Sequence, residues 1–324
     1  MRRVLGLGNA LVDILVQIDD DNFLSAHNLP KGSMQLVDAI TSAKILTATE
    51  NFKKQQVSGG SAANTINGLA QLGVSCGYIG CIGEDETASF FRNDMETRNI
   101  KAILHKGTQP SGVALALVSK DSERTFATHL GSAIEMSADK LKAEDFAGYH
   151  YFHIEGYLLQ NHELIEKAVM LAKKNGLKVS LDLASYNIVE ENIEFLRPLI
   201  QNYVDIIFAN EEEAKAFTGK EPEEALEELS ELVEIAVVKV GKNGSLIKRG
   251  NERIKIQAIK AIPIDTTGAG DLYASGFLYG LIHDYSLEKA AKIGSLLAGN
   301  VVEVMGPKMQ EDRWEKMKAE ILLF

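Results

Sequence analysis

Short apolar segments rich in β-branched residues alternate with amphipathic segments along most of this sequence. The apolar segments predict strands at residues 4–8, 75–82, 149–154, 178–183, 205–209 and 235–240. The amphipathic segments predict helices at residues 62–72, 162–175, 222–232 and 271–283. This alternation is typical of βαβ units, in which a helix returns the chain to the start of a parallel strand. We therefore predict an α/β fold with a doubly wound, mostly parallel sheet flanked by helices, which binds its ligands at the carboxyl ends of the strands.

Two stretches interrupt the alternation because they are extended and show no helical pattern. One covers approximately residues 13–38, and the other, approximately residues 110–130, is a hairpin pattern with its turn at 119–123. They predict a small β-strand element that stands off the main sheet and acts as a lid over a site. An ordinary edge hairpin explains the second stretch equally well. Because we find no internal repeat and no Pro-rich linker, residues 1–324 are expected to form a single domain.

The charge balance limits the classes of partner. The chain has 34 Lys and Arg against 45 Asp and Glu, a formal net charge of −11. This charge argues against a broad surface for nucleic acid or for an anionic membrane, so an anionic ligand must be held by local groups. No apolar run reaches the length of about 18 residues that a transmembrane helix needs. Two cysteines are too few for a disulfide framework, and a reducing, cytoplasmic setting is expected.

The strongest motif is Asp-Thr-Thr-Gly-Ala-Gly-Asp at residues 265–271, directly before a helical pattern. Gly268, Ala269 and Gly270 leave backbone N–H groups uncovered at a helix start, where unpaired donors and the helix dipole favour an anion. Asp271 lies in the first turn, where it can accept a proton from an incoming hydroxyl. A phosphate cradle beside a carboxylate suits phosphoryl transfer. The structural alternative is a Gly-rich turn whose aspartate stabilises the helix N-terminus.

Two earlier motifs offer polar groups beside glycines. The paired Gly59 and Gly60 allow a ligand to approach the backbone, and Asn64 offers both a donor and an acceptor to a sugar hydroxyl. An ordinary helix entrance explains the same residues. After the first strand, Asn9 and Asp13 interrupt an apolar run. The Asp13 carboxylate can accept hydrogen bonds from two substrate hydroxyls. The structural alternative is an ordinary aspartate in a loop. The third glycine of a dinucleotide fingerprint is missing there, which disfavours an NAD-dependent oxidoreductase.

Two candidate sites follow later strands. Asn210 and Glu213, directly after the strand at 205–209, have the spacing of a helix N-cap and its capping-box partner. The same spacing permits an oxygen-rich patch that holds Mg²⁺ and its waters near nucleotide phosphates. Gly241 and Gly244 form a Gly-x-x-Gly turn that either borders a nucleotide or closes a hairpin. The turn is not a Walker loop, because the required Lys and Ser or Thr do not follow its glycines.

Taken together and in this order, these motifs resemble the ribokinase-like, or PfkB, family of carbohydrate and nucleoside kinases. Residues 59–64 and 80–85 are similar to the first signature of that family, and residues 265–271 are similar to its second, more specific signature. Residues 210–213 are similar to its Asn-x-x-Glu motif. The resemblance spans nearly the whole chain. It implies a ribokinase-like fold and an ATP- and Mg²⁺-dependent transfer of a phosphoryl group to a primary hydroxyl.

The resemblance also implies a role for each matching residue. Asp271 would be the general base, although a carboxylate at a helix N-terminus is expected to be a weak base. A loose phosphoryl transition state tolerates such a base. The other implied roles are an anion hole from Gly268, Ala269 and Gly270; sugar contacts from Asn9, Asp13, Gly59, Gly60 and Asn64; an arginine over the site, Arg124; ATP contacts from Gly241, Gly244 and Asn300; Mg²⁺ bound through water by Asn210 and Glu213; and K⁺ near Asp265 and Thr267.

The resemblance makes adenosine the expected substrate. Residues 8–14 and 123–126 are closer to the adenosine kinase branch than to typical ribokinases. Phe23, Phe126 and Tyr157 are the candidates for stacking on a purine, while ribose, fructose or another furanose-like sugar stays open as the acceptor. The alternative from another class is a nucleoside sensor that keeps the fold without turnover. We expect a small-molecule partner, neither nucleic acid nor membrane, and a monomer or a homodimer.

Overall fold

The computed structural model describes residues 2–120 and 123–324, and a nine-stranded sheet forms its centre. The strands of the described residues are β1 Arg3–Leu7, β2 Leu11–Gln17, β3 Met34–Leu36, β4 Lys54–Gly59, β5 Ser75–Ile82, β6 Ile100–Lys106, β7 Gly112–Val118, β8 Arg124–His129, β9 Tyr151–Glu155, β10 Lys178–Asp182, β11 Ile206–Asn210, β12 Ile235–Lys239, β13 Ser245–Arg249 and β14 Glu252–Ile256. Their α-helices are α1 Asn22–Ala26, α2 Ala39–Ala48, α3 Ser61–Gln71, α4 Glu86–Thr97, α5 Ala143–Phe146, α6 His162–Lys174, α7 Tyr186–Tyr203, α8 Glu211–Thr218, α9 Pro222–Leu232, α10 Ala269–Ile282, α11 Leu287–Val301 and α12 Glu311–Ile321. The six predicted strands correspond to β1, β5 and β9 to β12.

The central sheet is wound in two directions from its middle. Its strand order is β14-β13-β12-β11-β10-β9-β1-β5-β6. All neighbours from β12 to β6 are parallel, and β13 and β14 add antiparallel strands at one edge. After β1 the chain adds β5 and β6 toward one edge of the sheet, and after β9 it adds β10, β11 and β12 toward the other edge. The direction in which strands are added therefore reverses between β1 and β9. The predicted doubly wound α/β fold is confirmed, and ligands of such sheets bind at the strand ends near this reversal.

Apolar side chains cover both faces of the central sheet. Phe208 and Ile207 are adjacent in β11 and wholly buried, but they belong to different cores. Phe208 packs on the face that carries α3, α10 and α11, and Ile207 packs on the face that carries α6 to α9. Successive side chains of a strand point to opposite faces, which explains why these strands are apolar throughout. No helix of the described residues is both long enough and apolar enough to cross a membrane.

A second sheet contains five strands in the order β3-β8-β7-β2-β4. The two stretches predicted to be extended supply β2, β3, β7 and β8, but the first prediction was wrong in one respect because that stretch contains the short helix α1. The strand β4, Lys-Gln-Gln-Val-Ser-Gly, was not predicted, because its polar residues lack the apolar pattern of a buried strand. It is an edge strand that, within the described residues, pairs with β2 alone. Asp121 and Ser122 of the predicted hairpin turn lie outside the described residues.

Candidate active site

Polar side chains occupy the carboxyl ends of five neighbouring strands of the central sheet. Lys239, Asn210, Asp182 and Glu155 end β12, β11, β10 and β9, and Asn9 follows β1 by two residues. All five line one cavity of about 1270 Å³. Parallel strands bring their carboxyl ends to the same edge of a sheet, so residues far apart in sequence meet there. This cavity is the candidate active site.

Asp271 faces this cavity from the first turn of α10. The Ser61 hydroxyl donates to Asp271 Oδ1 at 2.7 Å, and Asn64 Nδ2 donates to Oδ2 at 3.0 Å. Both partners lie in the first turn of α3, so the N-terminal ends of two helices meet at this carboxylate. Desolvation raises the pKa of Asp271 to about 6 and outweighs these two hydrogen bonds, which lower it. Asp271 is therefore a stronger base than its position at a helix N-terminus suggested.

The loop before α10 has the geometry that an anion cradle needs. Gly268 is the N-cap of α10 in the left-handed conformation, with φ of 77°, and a side chain there would collide with Pro307. No side chain of the described residues caps this helix start. The Ala269 N–H donates to the Thr266 carbonyl at 3.2 Å, so the Gly270 N–H is the cradle donor that is left for a ligand. Gly268 and Gly270 line the cavity together with Asp271.

Asp13 is half-buried in β2, a strand of the second sheet, and it lines the same cavity. Gly59 of the paired strand β4 lies against its carboxylate, where any side chain would collide with it. Gly60, with φ of 94°, packs against the backbone of Asn9 and begins α3. Desolvation raises the pKa of Asp13 to about 7, although the ammonium of Lys308 lowers it. Gly59 thus leaves Asp13 room to face a ligand.

Glu155 was not predicted as a site residue, yet it connects two predicted segments. Its Oε1 accepts hydrogen bonds from the backbone N–H of Asn9 at 2.9 Å and from Asn9 Nδ2 at 2.8 Å. Its Oε2 accepts from the Ala62 N–H in the first turn of α3 at 2.8 Å. The side chain is 1% exposed, and desolvation raises its pKa to about 7. Glu155 therefore fixes the orientation of Asn9 relative to α3.

Asn210 and Glu213 form the capping box, and both also line the cavity. Asn210 Oδ1 accepts from the Glu213 N–H at 2.8 Å, and Glu213 Oε2 accepts from the Asn210 N–H at 2.8 Å. Desolvation raises the pKa of Glu213 to about 7 even though Lys239 lowers it. In the described residues no cluster of three or more acidic, His or Cys side chains could hold a metal directly. The oxygen atoms of Asn210 and Glu213 are of the type that Mg²⁺ and its waters prefer.

Arg124 lies at the cradle loop and is absent from the residues that line the cavity. Its Nη1 pairs with Asp265 Oδ2 at 2.6 Å and donates to the Thr267 hydroxyl at 3.0 Å. The Asp265 carboxylate also accepts from the N–H groups of Thr267, at 3.0 Å, and Gly306, at 2.6 Å. Because the guanidinium and two N–H groups occupy this carboxylate, it is not free for a K⁺ ion, and the backbone carbonyls around Asp265 and Thr267 stay the predicted K⁺ ligands.

The three predicted ATP contacts fall in different surroundings. Gly241 lines the cavity, whereas Gly244 and Asn300 are not among its lining residues. Asn300 Nδ2 donates to the Leu296 carbonyl at 2.9 Å, and Arg313 donates to the Asn300 carbonyl at 2.9 Å. Gly244, with φ of 93°, closes the turn before β13, and a side chain there would collide with backbone of β14. The hairpin explanation of the Gly-x-x-Gly turn therefore accounts for Gly244.

Replacing Gly244 with alanine is expected to destabilise the protein by about 2–4 kcal/mol, since it adds a backbone collision to the cost of a positive φ. Gly250→Ala is the matched control. Gly250 also has a positive φ, 56°, but a Cβ atom there would have no other atom within 4 Å, so about 1 kcal/mol is expected. Urea denaturation measures both variants. Equal losses in the two variants would contradict the structural role of Gly244.

The cavity carboxylates predict an unusual dependence of stability on pH. Asp13, Glu155 and Glu213 have folded-state pKa values of about 7, well above their ordinary values. The folded state therefore holds protons that the unfolded state has released, and this stabilisation is lost as the pH rises through 7. Without ligands, the melting temperature is expected to fall by about 3 °C between about pH 6.5 and pH 8. Asp13→Asn should flatten this slope; a melting temperature that rises over the same interval would contradict the prediction.

Apolar side chains, here called the apolar wall, line the same cavity as the carboxylates. Its members come mainly from the second sheet and the segment after β8: Leu11, Met34, Leu36, Phe126, Leu130 and Ile134. Met34, Leu36 and Ile134 are 55%, 60% and 55% exposed, so this wall presents apolar surface to the cavity. Of the three predicted stacking candidates, Phe126 and Tyr157 line the cavity. Phe23 instead packs against His27 and Phe52.

Comparison with known proteins agrees with this geometry. The family model described as pfkB family carbohydrate kinase matches residues 34–313. A probable sugar kinase from Rhizobium etli has a structure similar to this chain, with 32% identity, a TM-score of 0.88 and 99% of each chain covered. The adenosine kinase from Sinorhizobium meliloti is similar at 32% identity and a TM-score of 0.87, with 98% of this chain and 99% of that chain covered. The 5-dehydro-2-deoxygluconokinase of Listeria monocytogenes is 29% identical, over 85% of this chain and 93% of that protein.

Proposed function

The chain belongs to the pfkB family of carbohydrate kinases, and from that premise we propose that it transfers the γ-phosphoryl group of ATP to the 5′-hydroxyl of adenosine. Family membership makes it a phosphotransferase with an alcohol group as acceptor. The resemblance seen in the sequence motifs is thereby confirmed. ATP and Mg²⁺ are the general requirements of such a kinase.

The observation that supports a nucleoside is the apolar wall beside the polar groups. Asp13 and Asn9 offer oxygen and nitrogen atoms to hydroxyls, and Phe126 and Leu36 line the same cavity as apolar surface. A nucleoside has both surfaces, because its ribose carries hydroxyls and its base presents flat, largely apolar faces. A free sugar carries hydroxyls around its whole ring and would leave exposed apolar side chains such as Leu36 without a partner.

In this assignment the side chains of the cavity orient the ribose. Asp13 accepts hydrogen bonds from ribose hydroxyls, and Asn9 is held by Glu155 so that its side chain keeps one orientation. Asn64 Oδ1 is buried and has no hydrogen-bond partner within the described part of the chain, so it can accept from a substrate hydroxyl. These contacts bring the 5′-hydroxyl to Asp271.

Asp271 then acts as the general base. The 5′-oxygen forms its bond to the γ-phosphorus, the bond from that phosphorus to the bridging oxygen of ADP breaks, and the hydroxyl proton passes to an Asp271 carboxylate oxygen. The backbone N–H of Gly270, in the first turn of α10, stabilises the charge on the transferred group. When bound, Mg²⁺ supplies positive charge to the phosphate oxygens, and Asn210 and Glu213 are the residues that would hold its waters.

We also assign the second sheet as a lid over the nucleoside. Its strands β2, β3 and β8 supply Leu11, Met34, Leu36 and Phe126 to the cavity. Arg124, at the start of β8, ties this sheet to the cradle loop through Asp265. A lid in this position excludes water from the reacting groups, which strengthens their electrostatic interactions.

A sugar or sugar acid is the second candidate acceptor. It is favoured by the similarity to 5-dehydro-2-deoxygluconokinase, at 29% identity over most of both chains. The carboxylate of a sugar acid would have to enter a cavity that already holds several acidic side chains, among them Glu155 and Asp271. That repulsion is the physical reason for ranking it below adenosine.

The test is ADP release by the purified protein with ATP and Mg²⁺, compared among adenosine, inosine, ribose, fructose and 5-dehydro-2-deoxygluconate. The highest kcat/KM is expected with adenosine. Phe126→Ala should raise the KM for adenosine about tenfold or more by removing base stacking. The matched control Phe23→Ala removes a phenyl ring packed outside the cavity and should leave KM unchanged. A higher kcat/KM with a free sugar would replace adenosine by that sugar.

A further inference from the structure

We propose, building on the kinase function proposed above but not on the identity of the acceptor, that Lys239 binds the phosphoryl group that ATP transfers and that Asp182 holds the Lys239 ammonium until nucleotide arrives. Lys239 and Asp182 lie outside every motif that pointed to the function. Each is the last residue of a strand, β12 and β10, and each lines the cavity.

The Lys239 ammonium lies between a carboxylate and the cradle. Its Nζ donates to Asp182 Oδ2 at 2.7 Å, and Asp182 Oδ1 accepts from the Ala184 N–H at 3.1 Å. On the other side, a side-chain carbon at Gly270 would lie 3.0 Å from Nζ, so the ammonium is next to this backbone. Gly270 directly precedes Asp271. Lys239 is therefore within reach of a phosphoryl group bound at the start of α10.

Lys239 lies among acidic side chains in the cavity. The carboxylates that line the cavity are Asp13, Glu155, Asp182, Glu191, Glu211, Glu212, Glu213 and Asp271. Among the described residues that line it, Lys239 is the one Lys or Arg. A triphosphate that enters such a site needs positive charge at the oxygens of the transferred group. A lysine ammonium binds phosphate as a point charge, without a fixed geometry.

Lys239 keeps its positive charge in this environment. Burial opposes the charge, but Asp182, Glu213 and Asp271 raise the pKa of Lys239 above its ordinary value. The side chains of Lys239 and Asp182 are 15% and 4% exposed, so water screens their attraction only weakly. When a phosphate oxygen replaces Asp182 as the partner of Lys239, Asp182 retains its bond from Ala184. The exchange thus leaves both charges with a partner.

A purely structural ion pair makes a different prediction. If Lys239 and Asp182 only connected β12 to β10, removal of either partner would have similar consequences, because each leaves a buried charge unpaired. A phosphate-binding lysine predicts unequal consequences. Loss of Lys239 removes the contact to the nucleotide, whereas loss of the Asp182 charge removes only its competitor for the ammonium.

The experiment measures the affinity of a non-hydrolysable ATP analogue with Mg²⁺ by calorimetry, and kcat with adenosine. Lys239→Met should weaken analogue binding about tenfold or more and lower kcat by about 10²–10³-fold, with adenosine affinity nearly unchanged. Asp182→Asn should leave analogue binding unchanged or tighter. The matched control is Lys173→Met, which removes the ion pair of Lys173 with Asp205 at 2.6 Å, outside the cavity; it should change neither quantity.

Two results would overturn the role of Lys239. One is analogue affinity and kcat within about threefold of wild type in Lys239→Met; the other is equal weakening of analogue binding by Lys239→Met and Asp182→Asn. Melting curves check that the variants fold, and Lys239→Gln replaces Lys239→Met if the latter does not. If the wild type binds the analogue but phosphorylates none of the acceptors, the proposed acceptor fails, and the analogue affinities still decide the role of Lys239.

Discussion

Replacing Asp271 with asparagine is expected to lower kcat by about 10³-fold or more while adenosine binding stays within a few-fold of wild type. The variant keeps the shape of the site, since the new amide can donate to the Ser61 hydroxyl while its oxygen still accepts from Asn64. What it loses is the ability to take the proton of the 5′-hydroxyl. Steady-state kinetics with a separate calorimetric measurement of adenosine affinity separates these two effects.

The pH profile of the wild type gives an independent check on Asp271. Since the pKa of Asp271 is raised to about 6, kcat should fall as the pH drops through that value and the carboxylate is protonated.

The matched control for Asp271→Asn is Asp85→Asn. Asp85 also lies at a helix start, where its carboxylate accepts from the Ala88 N–H at 2.8 Å. It should lower stability without a change in kcat. Turnover near the wild-type level in Asp271→Asn would show that another group accepts the proton.

Replacing Asp13 with alanine is expected to lower kcat/KM for adenosine by about 10²–10⁴-fold, mainly through KM. A hydrogen bond to a charged group contributes about 1.5–3 kcal/mol, and the proposed contacts are two ribose hydroxyls. Because the pKa of Asp13 is raised to about 7, adenosine affinity of the wild type should increase as the pH rises through 7 and both oxygens become acceptors. Calorimetry at several pH values measures this. An unchanged KM in Asp13→Ala would remove Asp13 from the ribose site.

The control for Asp13 is Asp94→Asn. Asp94 also belongs to a partly buried network, in which Ser58 and Lys308 contact its carboxylate, but it does not line the cavity. This variant should cost stability and leave adenosine affinity nearly unchanged. A comparable loss of affinity in both variants would indicate that Asp13 acts through the fold of this region and not through contact with ribose.

Residues of the site that sit in local motifs could be predicted from the sequence. Asp271 follows a glycine-rich loop at a helix start, and Asn210 with Glu213 has capping-box spacing after an apolar strand. Each pattern has a local physical cause, in helix capping or in uncovered backbone donors. The doubly wound sheet could be predicted for the same reason, because strands buried on both faces are apolar throughout.

Three other cavity residues were missed because no local motif marks them. The predicted strand at 149–154 stopped one residue before Glu155, and Asp182 and Lys239 fall inside predicted strands. Their common signal is a charged side chain at the carboxyl end of an apolar strand, which in a parallel sheet points to the ligand crevice. The contact of Arg124 with Thr267 spans 143 residues and depends on how the two sheets pack. No local pattern in the sequence encodes such a contact.

The most direct measurement follows the γ-phosphoryl group of labelled ATP when the protein is given either adenosine or 5′-deoxyadenosine. Both compounds should raise the melting temperature, because both present the same base to the apolar wall. Only adenosine should become labelled, and the label should be in its 5′-monophosphate and depend on Asp271. Binding of adenosine without any transfer of label, or transfer of label to 5′-deoxyadenosine, would contradict phosphorylation of the 5′-hydroxyl at this site.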